Sequence, residues 1–484
     1  MNRILAYTFH AIFYIISYIT GVSYEKVTFF FHLFSDPCGA GDLPGPAFAA
    51  EEPFSVSAAA AILVDADYDE VLWEYNADDL RYPASITKVM TSLLTVEAID
   101  RGELAMDTLV TLGGDLYTGI GEGGSSQGLK TGEILTIRDL LNCALIPSAN
   151  EACNALAGAV GGSIPAFVDQ MNTRAAELGM TNTHFVNTHG YHDDAHYTTA
   201  RDISRMCLEA MKHPEIREIV SSTSYTVPTT YNAAGEVVHA SWTVHDTNAL
   251  VSNHRSGRAD LLYRYAIGIK TGSTPEAGMC LASAAEKNGR TMIAVLLGGK
   301  NYQSNGERIE DNYFSESKRM LEHGFNHFSR KTVLDVIEPI ATIPVSLCAQ
   351  QNYVTVQPAH GIEATLLNTL DPSLFDRTVE VPEALQAPIE KGAVLGSIHI
   401  TYQGRDYGTV ELLASTGLER SQWLYVLSRI KFWFDKLWVK LILLAVILLI
   451  LLLVLRRIVF GPSTRRSRGS SPRVYSSNYR GRRR

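Results

Sequence analysis

The most informative segment of the sequence is Tyr-Pro-Ala-Ser-Ile-Thr-Lys at residues 82–88. Pro83 precedes an apolar-periodic segment that Gly102 ends, so the pattern predicts a helix that begins at Ser85. On that helix Ser85 and Lys88 would share one face, where an unprotonated lysine could take the serine proton. Such a lysine needs a depressed pKa, which desolvation and a second cation would supply. By itself, however, Ser-x-x-Lys is common, and Ser85 would more often be a helix N-cap.

Two further motifs change this interpretation. A helix predicted over residues 137–146 ends at Pro147-Ser148-Ala149-Asn150, which places a Ser-x-Asn at a helix junction. A β-rich run then ends in Lys270-Thr271-Gly272-Ser273. The three motifs, in this order and context, resemble those of the penicillin-recognising serine enzymes.

The resemblance is closest to one family. Residues 82–88, Ser-Ala-Asn-Glu-Ala at 148–152 and Thr-Thr-Ala-Arg-Asp at 198–202 are similar to the D-alanyl-D-alanine carboxypeptidases among the low-molecular-mass penicillin-binding proteins. The likeness spans roughly residues 54–415. It implies a serine hydrolase that removes the terminal D-alanine from peptidoglycan pentapeptides through an acyl-enzyme, in cell wall synthesis and remodelling. β-Lactam antibiotics would be covalent inhibitors.

The resemblance also implies the catalytic roles. Ser85 Oγ would attack the penultimate D-alanine carbonyl, Lys88 would be the general base, and Ser148 would relay a proton toward the leaving amine. Asn150 would hold the substrate amide and Lys88.

The remaining substrate contacts would come from the third motif. Lys270 would supply positive potential and Thr271 would bind the terminal carboxylate of the substrate. Gly272 and Ser273 complete this part of the binding site. The backbone N–H groups of Ser85 and Ser273 would form the oxyanion hole. Some relatives carry a histidine at the position of Ser273, so the resemblance assigns no role to its side chain.

Two other patterns are interpreted as structural. A second Lys-Thr-Gly, at residues 130–132, precedes the Ser-x-Asn motif in a glycine-rich loop, so we treat it as coincidence. A cluster of histidines and acids lies in a predicted loop without HExxH spacing, so we expect no zinc there, and the resemblance requires neither a metal nor a cofactor. The cluster comprises His189, His192, Asp193, Asp194, His196 and Asp202, and we expect Arg201 and Asp202 to pair with each other or to cap the next helix.

The predicted fold is α/β, or α+β, of the β-lactamase type that the resemblance implies. A hairpin over residues 61–73 and strands at 265–270, 279–284 and 290–297 indicate a sheet flanked by helices, with another helix at 315–327. The helical layer would carry Ser85 and Ser148 and the sheet edge Lys270. From residue 332 to 415 short alternating strands indicate a small β-sandwich, which in the family holds the catalytic domain off the membrane.

The charge distribution indicates which kinds of binding partner to expect. The formal charge is −9, yet the last 29 residues contain ten arginines and no acid, so the rest of the chain is strongly acidic and nucleic acid is not the expected partner. Six cysteines without close spacing suggest neither a disulfide scaffold nor a metal knuckle, and most are expected to be buried.

Both ends of the chain are apolar. Arg3 and the apolar residues 4–22 indicate a secretory signal or an uncleaved anchor, with a possible cleavage pattern at residues 47–49. Residues 441–455 form an unbroken apolar run, long enough with its flanks to span a membrane. Trp433, Phe434 and Trp438 suit the interface, and the arginines that follow the span predict a cytoplasmic tail.

These patterns divide the chain into six parts. They are a signal region (1–50), the catalytic domain (51–330), a β-sandwich stalk (331–416), an interfacial amphipathic helix that contacts lipid (417–436), a transmembrane helix (437–460) and a basic cytoplasmic tail (461–484). The docking of the amphipathic helix on the ectodomain is the alternative to lipid contact.

The sequence leaves three other functions open. A β-lactamase shares the motifs, but we find no convincing deacylating glutamate and the stalk has no evident purpose there. An endopeptidase would use the same residues. A membrane sensor or scaffold that is acylated without turnover is the alternative of a different class, and the presence of Lys270 and Ser148 argues against it.

Overall fold

A computed structural model describes residues 54–300 and 312–460 of the 484-residue chain. The predicted signal region (1–50) and basic tail (461–484) lie outside the described residues.

The catalytic region is built on one antiparallel sheet. Its five strands are in the order β2-β1-β11-β10-β9, with β9 at the edge. Alternate residues of β1 face opposite sides. Ile62 and Val64 join the main core, whereas Leu63 lies against Gly324 of the last catalytic helix. The bounds are β1 Ala60–Asp65, β2 Glu70–Tyr75, β9 Ala266–Thr274, β10 Gly278–Lys287 and β11 Arg290–Gly299.

Helices cover both faces of this sheet. The main core lies between the sheet and a helical layer, and the other face is packed by a helix near the end of the catalytic region. Thr136 and Asp139 form a capping box at the start of the second helix, and Thr199 caps the fifth. The helices are α1 Lys88–Asp100, α2 Ile137–Leu145, α3 Asn150–Gly161, α4 Ile164–Glu177, α5 Ala200–Ala210, α6 Pro214–Ser221 and α7 Asn312–His327.

Short strands decorate the helical layer. They form a four-stranded sheet in the order β3-β4-β6-β7 and a separate pair, β5 with β8. Their bounds are β3 Leu109–Thr111, β4 Glu133–Thr136, β5 Ser224–Val227, β6 Thr230–Asn232, β7 Val237–His239 and β8 Trp242–His245.

The β-rich region that follows has its own core, formed by buried residues between Val333 and Leu418. A six-stranded sheet in the order β16-β18-β19-β14-β13-β17 accompanies a pair, β12 with β15. This agrees with the predicted β domain, although its first strand begins earlier than expected. The strands are β12 Phe328–Leu334, β13 Ala341–Ser346, β14 Tyr353–Pro358, β15 Ile362–Leu367, β16 Asp376–Glu380, β17 Leu385–Gln386, β18 Val394–Tyr402 and β19 Arg405–Ala414.

Two exposed helices end the described chain. They are α8, Gln422–Phe434, and α9, Leu437–Phe460. The segment Leu437–Arg457 of α9 has a mean hydropathy of 3.2 and none of it is buried, so it is long and apolar enough to cross a membrane.

Candidate active site

Ser85 lies in a tight turn rather than in an α-helix. Residues Ala84–Thr87 form a 3-10 turn, and α1 begins at Lys88, so the prediction that the helix starts at Ser85 was wrong by one turn. Ala84 has a φ of 47°, a left-handed conformation that no α-helix accommodates. Ser85 and Lys88 nevertheless point the same way, because a 3-10 turn aligns residues i and i+3.

Lys88 is buried beside this serine. Its Nζ atom lies 2.8 Å from Ser85 Oγ and donates to the carbonyl oxygen of His189, also at 2.8 Å. Burial lowers the pKa of Lys88 to about 8, against the opposing influence of Cys153 and Glu151. About a tenth of the amine is therefore neutral at pH 7 and able to accept a proton, compared with less than about a thousandth for an ordinary lysine.

The loop that supplies the His189 carbonyl is held by side chains. Asn187 Oδ1 accepts from the Gly190 N–H at 2.7 Å, and Asn187 Nδ2 donates to the Tyr191 carbonyl at 2.9 Å. Thr188 Oγ1 donates to Asn154 Oδ1 at 2.7 Å, which ties the loop to α3. The position of the Lys88 amine thus depends on a loop about a hundred residues away in sequence.

The Ser-x-Asn motif lies at the junction of α2 and α3, as predicted. Ser148 is buried with a φ of 73°, so the chain turns sharply between the two helices. Asn150 begins α3, and its N–H donates to the Ser125 carbonyl at 2.9 Å. The next residue, Glu151, is fully buried and accepts from the N–H of Gln127 at 2.6 Å, so it fixes the loop that lines the site.

The Lys-Thr-Gly motif lies on the edge strand β9. The predicted strand ended at Lys270, but β9 continues to Thr274 because its pairing with β10 runs from Ala266 to Thr274. Gly272 approaches the nucleophile closely: a Cβ added there would lie 3.0 Å from Ser85 N. A side chain at this position would therefore crowd the backbone of Ser85.

Lys270 is buried in a charged environment. Burial and the positive charge of Lys88 lower the pKa of Lys270, and the carboxylate of Asp246 opposes this. Burial in turn raises the pKa of Asp246, which the Asn248 N–H and Lys270 counteract. Thr271, the next residue of β9, is oriented by the residue after Asp246, because Thr247 Oγ1 lies 2.6 Å from Thr271 Oγ1.

A pocket of about 500 Å³ opens above these groups. Ser85, Asn150 and Ser273 line it, whereas Lys88, Lys270, Gly272 and Ser148 are buried. The structure therefore brings one residue of each motif to a common cavity.

The second Lys-Thr-Gly is elsewhere. Lys130 and Thr131 are exposed, and Gly132 has a φ of 84° in a surface turn before β4. The buried Glu133 accepts from the Lys130 N–H at 2.8 Å. None of these residues lines the pocket with Ser85.

The histidine and acid cluster is spread through the same loop. Burial lowers the pKa of His189 and of His196 to about 3, so both rings are neutral at physiological pH. His196 Nε2 lies 2.9 Å from Thr87 Oγ1 and supports the turn that carries Ser85. In the described part of the chain, possible metal ligands come together instead at Glu97, Glu209 and His213, where Arg174 already pairs with both carboxylates.

The expected pairing of Arg201 with Asp202 was wrong. Arg201 binds Asp78, with Nε to Oδ1 at 2.7 Å, and Glu74 at 2.8 Å. Asp202 accepts from Asn182 N at 2.8 Å, and Thr199, not Asp202, caps α5. The partners of Arg201 lie more than 120 residues away in sequence, and no local pattern indicates them.

Several supporting residues were missed by the sequence analysis. Glu151 lies in the quoted 148–152 motif but was given no role, and the signals for the others were the polar, glycine-containing character of residues 187–191 and the Asp-Thr-Asn at 246–248. The residues are Asn187, Gly190, Glu151, Asp246 and Thr247.

This arrangement identifies the class of enzyme to which the protein belongs. A serine beside a buried lysine, between a helical layer and the edge strand of an antiparallel sheet, is the arrangement of the penicillin-recognising serine hydrolases.

Comparisons with known proteins identify the family within that class. The family model described as D-alanyl-D-alanine carboxypeptidase matches residues 47–301. The chain is 31% identical to the D-alanyl-D-alanine carboxypeptidase DacC of Escherichia coli (strain K12), over 80% of this chain and 93% of that protein. It is 27% identical to DacF of Bacillus subtilis (strain 168), over 77% of this chain and 88% of that protein. Among solved structures, penicillin binding protein 5 from Haemophilus influenzae matches with a TM-score of 0.58 and 25% identity, covering 77% of this chain and all of the other.

The chain therefore belongs to the D-alanyl-D-alanine carboxypeptidase family. It is a serine-type hydrolase with a role in the cell wall, and the family acts on peptidoglycan peptides that end in D-Ala-D-Ala and binds β-lactams. The sequence-based prediction of family, fold class and activity is confirmed.

Proposed function

We propose that Ser85 is the nucleophile of this carboxypeptidase and Lys88 its general base. The 2.8 Å separation of Ser85 Oγ from a buried amine whose pKa is lowered to about 8 carries this proposal. Lys88 Nζ takes the Ser85 hydroxyl proton as Oγ bonds to the carbonyl carbon of the penultimate D-alanine. The backbone N–H groups of Ser85 and Ser273 stabilise the resulting oxyanion.

The second half of the reaction returns the proton. The proton held by Lys88 passes through Ser148 to the departing amine, the C–N bond breaks, and D-alanine leaves an ester on Ser85. Water then attacks that ester and gives a proton to Lys88, and Lys88 returns this proton to Ser85 Oγ as the ester C–O bond breaks and the shortened peptide leaves. The burial of Lys88 and Ser148 supports this role, because neither side chain is hydrated by bulk solvent.

Substrate recognition is assigned to the other two motifs. The terminal carboxylate of the substrate is held by the Thr271 hydroxyl near the positive charge of Lys270, and its scissile amide is aligned by Asn150. The Thr247 hydroxyl at 2.6 Å fixes the orientation of Thr271, which supports the assignment. Gly272 keeps the strand close to the Ser85 backbone.

Kinetics of D-alanine release test this proposal. The full chain in detergent is incubated with a pentapeptide ending in D-Ala-D-Ala, and free D-alanine is measured for the unmodified chain, Ser85→Ala and the control Ser346→Ala. We expect multiple turnovers for the first and third, and a loss of at least about a thousandfold for Ser85→Ala. Turnover that survives Ser85→Ala excludes this nucleophile, and a single turnover followed by arrest favours the sensor function.

We further propose the membrane topology that the sequence predicts. The apolar Leu437–Arg457 segment spans the bilayer, α8 lies in the lipid interface, the catalytic and β domains are outside the cell, and the basic tail is cytoplasmic. Trp423, Trp433 and Trp438 are exposed large side chains, which supports contact with lipid. Two separate cores, one formed between Ala60 and Leu297 and the other between Val333 and Leu418, support the proposed domain limits of 51–330 and 331–416.

Protease protection tests the topology. Intact spheroplasts are treated with a protease while an epitope at residue 484 and the body of the chain are followed by immunoblot. We expect the body to be digested and the tail to remain protected until the membrane is permeabilised. Digestion of the tail in intact spheroplasts excludes this orientation.

A further inference from the structure

A second cavity adjoins the catalytic pocket. It has a volume of about 760 Å³, and Thr274, Pro275 and Glu276 line both cavities. These three residues follow Ser273, which comes directly after the Lys-Thr-Gly motif, and they form the end of β9 and the turn to β10. A peptide that extends from the catalytic pocket across this turn therefore enters the second cavity.

The proposed substrate contacts run in that direction. The terminal carboxylate lies at Thr271 and the scissile carbonyl at Ser273. The substrate chain is therefore antiparallel to β9, and its N-terminal residues continue beyond Ser273 toward the turn. An extended peptide advances about 3.3 Å per residue, as a strand does, so the residue before D-Ala-D-Ala reaches the turn at 274–276. The two residues before that one extend beyond the turn, where the second cavity begins.

The lining of the second cavity suits a polar peptide. Tyr82 and Tyr197 supply aromatic surface, and Arg81 and Lys300 supply positive charge. Arg81 Nε is buried and has no hydrogen-bond partner among residues 54–300 and 312–460, although another guanidinium nitrogen pairs with Asp79 at 2.9 Å. The Arg81 side chain as a whole is 35% exposed and lines the cavity, so its guanidinium can reach a ligand carboxylate bound there.

The two acidic residues that line the second cavity, Asp194 and Glu276, lie near His192. His192 Nε2 lies 3.4 Å from Asp194, and His192 Nδ1 lies 4.0 Å from Glu276. The edge of the His192 ring packs against Tyr82. The polar lining of the second cavity therefore contains these two carboxylates beside the cations Arg81 and Lys300.

We propose that this second cavity is a subsite for the N-terminal half of the stem peptide, in which Arg81 binds the free carboxylate of an acidic residue. The inference rests on the proposed function, because the direction of the substrate follows from the roles of Thr271 and Ser273. It makes Arg81 a specificity-determining residue, which favours long acidic stem peptides over short acylated dipeptides and tripeptides.

Two substrates and four variants test this subsite on the full chain. One substrate is a pentapeptide whose second residue is a γ-linked glutamate with a free carboxylate, and the other is the N-acetylated tripeptide made of its last three residues. The readout is the ratio of kcat/KM for the pentapeptide to that for the tripeptide. Arg81→Gln removes the proposed cation, and Leu80→Trp fills the cavity from its exposed rim.

The controls match these changes in chemistry. Arg101→Gln removes a surface arginine that pairs with Glu103 much as Arg81 pairs with Asp79, and Leu109→Trp enlarges another exposed leucine. We expect the ratio to fall about tenfold in Arg81→Gln and Leu80→Trp and to stay unchanged in both controls. Amidation of the glutamate carboxylate in the pentapeptide is expected to abolish the effect of Arg81→Gln while leaving that of Leu80→Trp.

Three results would overturn the subsite. They are an unchanged ratio in both cavity variants, an equal fall in the controls, and an effect of Arg81→Gln that persists with the amidated peptide. Failure of the proposed function is distinguishable, since it would abolish D-alanine release from the tripeptide in the unmodified chain.

Discussion

Gly190 lies so close to the Ala84 carbonyl that a Cβ built on it would stand 1.8 Å from that oxygen. The two residues are more than a hundred positions apart, and the contact presses the 187–191 loop onto the turn that carries Ser85. The adjacent His189 carbonyl holds Lys88. The nucleophile and its base are thus positioned from the same loop.

Gly190→Ala is therefore expected to disable the site. The Cβ would displace the 84–87 turn, and a φ of 82° adds the cost of a left-handed alanine. We expect acylation by a fluorescent penicillin to slow at least about a hundredfold, as measured by stopped flow. Gly235→Ala is the control, since Gly235 has a φ of 78° and open space around its Cβ position. It should cost about 1 kcal/mol of stability and leave acylation intact. Equal effects of both variants would show that the contact with Ala84 is unimportant.

The pH dependence of acylation follows from Lys88. Its pKa is lowered to about 8, and the neutral amine is the active form. At saturating penicillin, the acylation rate should rise about tenfold per pH unit well below pH 8 and level off above it. A rapid-quench series from pH 5.5 to 10 measures this. A rate independent of pH across that range would exclude Lys88 as the proton acceptor.

Substitutions of the lysine in the two Lys-Thr-Gly copies should differ sharply in their effect on penicillin labelling. Lys270→Gln removes a buried charge at the proposed carboxylate site, so penicillin labelling should fall by about a hundredfold or more. Lys130 is exposed and does not line the pocket, so Lys130→Gln should change labelling less than twofold. Gel fluorescence after a timed pulse compares them. The opposite pattern would reverse our choice of motif.

The β domain is joined to the catalytic sheet by buried polar contacts. Thr365 Oγ1 donates to Asp65 Oδ2 at 2.7 Å, and Thr365 N donates to Glu70 Oε2 at 2.8 Å. Thr365→Val leaves the buried Asp65 oxygen without this donor, so the free energy of unfolding should fall by about 1–3 kcal/mol. Thr409→Val, at an exposed position of β19, should change it by less than about 0.5 kcal/mol. Chemical denaturation compares the two, and equal stabilities would mean that the interface hydrogen bond contributes nothing.

The sequence predicted the framework because its signals are local. The hairpin at 61–73, the helix ending at Pro147 and the strands around residues 265–297 follow from apolar periodicity and turn residues, and each was found within a few residues of its predicted bounds. The motifs at Ser85, Ser148 and Lys270 could be read directly, because spacing and order are properties of the sequence.

The supporting contacts could not be predicted because they join distant segments. Nothing near Arg201 indicates Glu74 or Asp78 as its partners. The 3-10 turn at Ser85 was also missed, since a serine and a lysine three residues apart share a face in either kind of helix. A glycine such as Gly190 gives no sign in a single sequence that another backbone will lie against it.

Mass spectrometry of the full chain tests whether Ser85 is the residue that is acylated. The chain is incubated with a penicillin, digested and mapped, and in parallel it is incubated with a peptide ending in D-Ala-D-Ala. We predict a penicilloyl adduct on the peptide that contains Ser85, together with the loss of a single D-alanine from the substrate. An adduct on another residue, or an unmodified chain and an intact substrate, would contradict it.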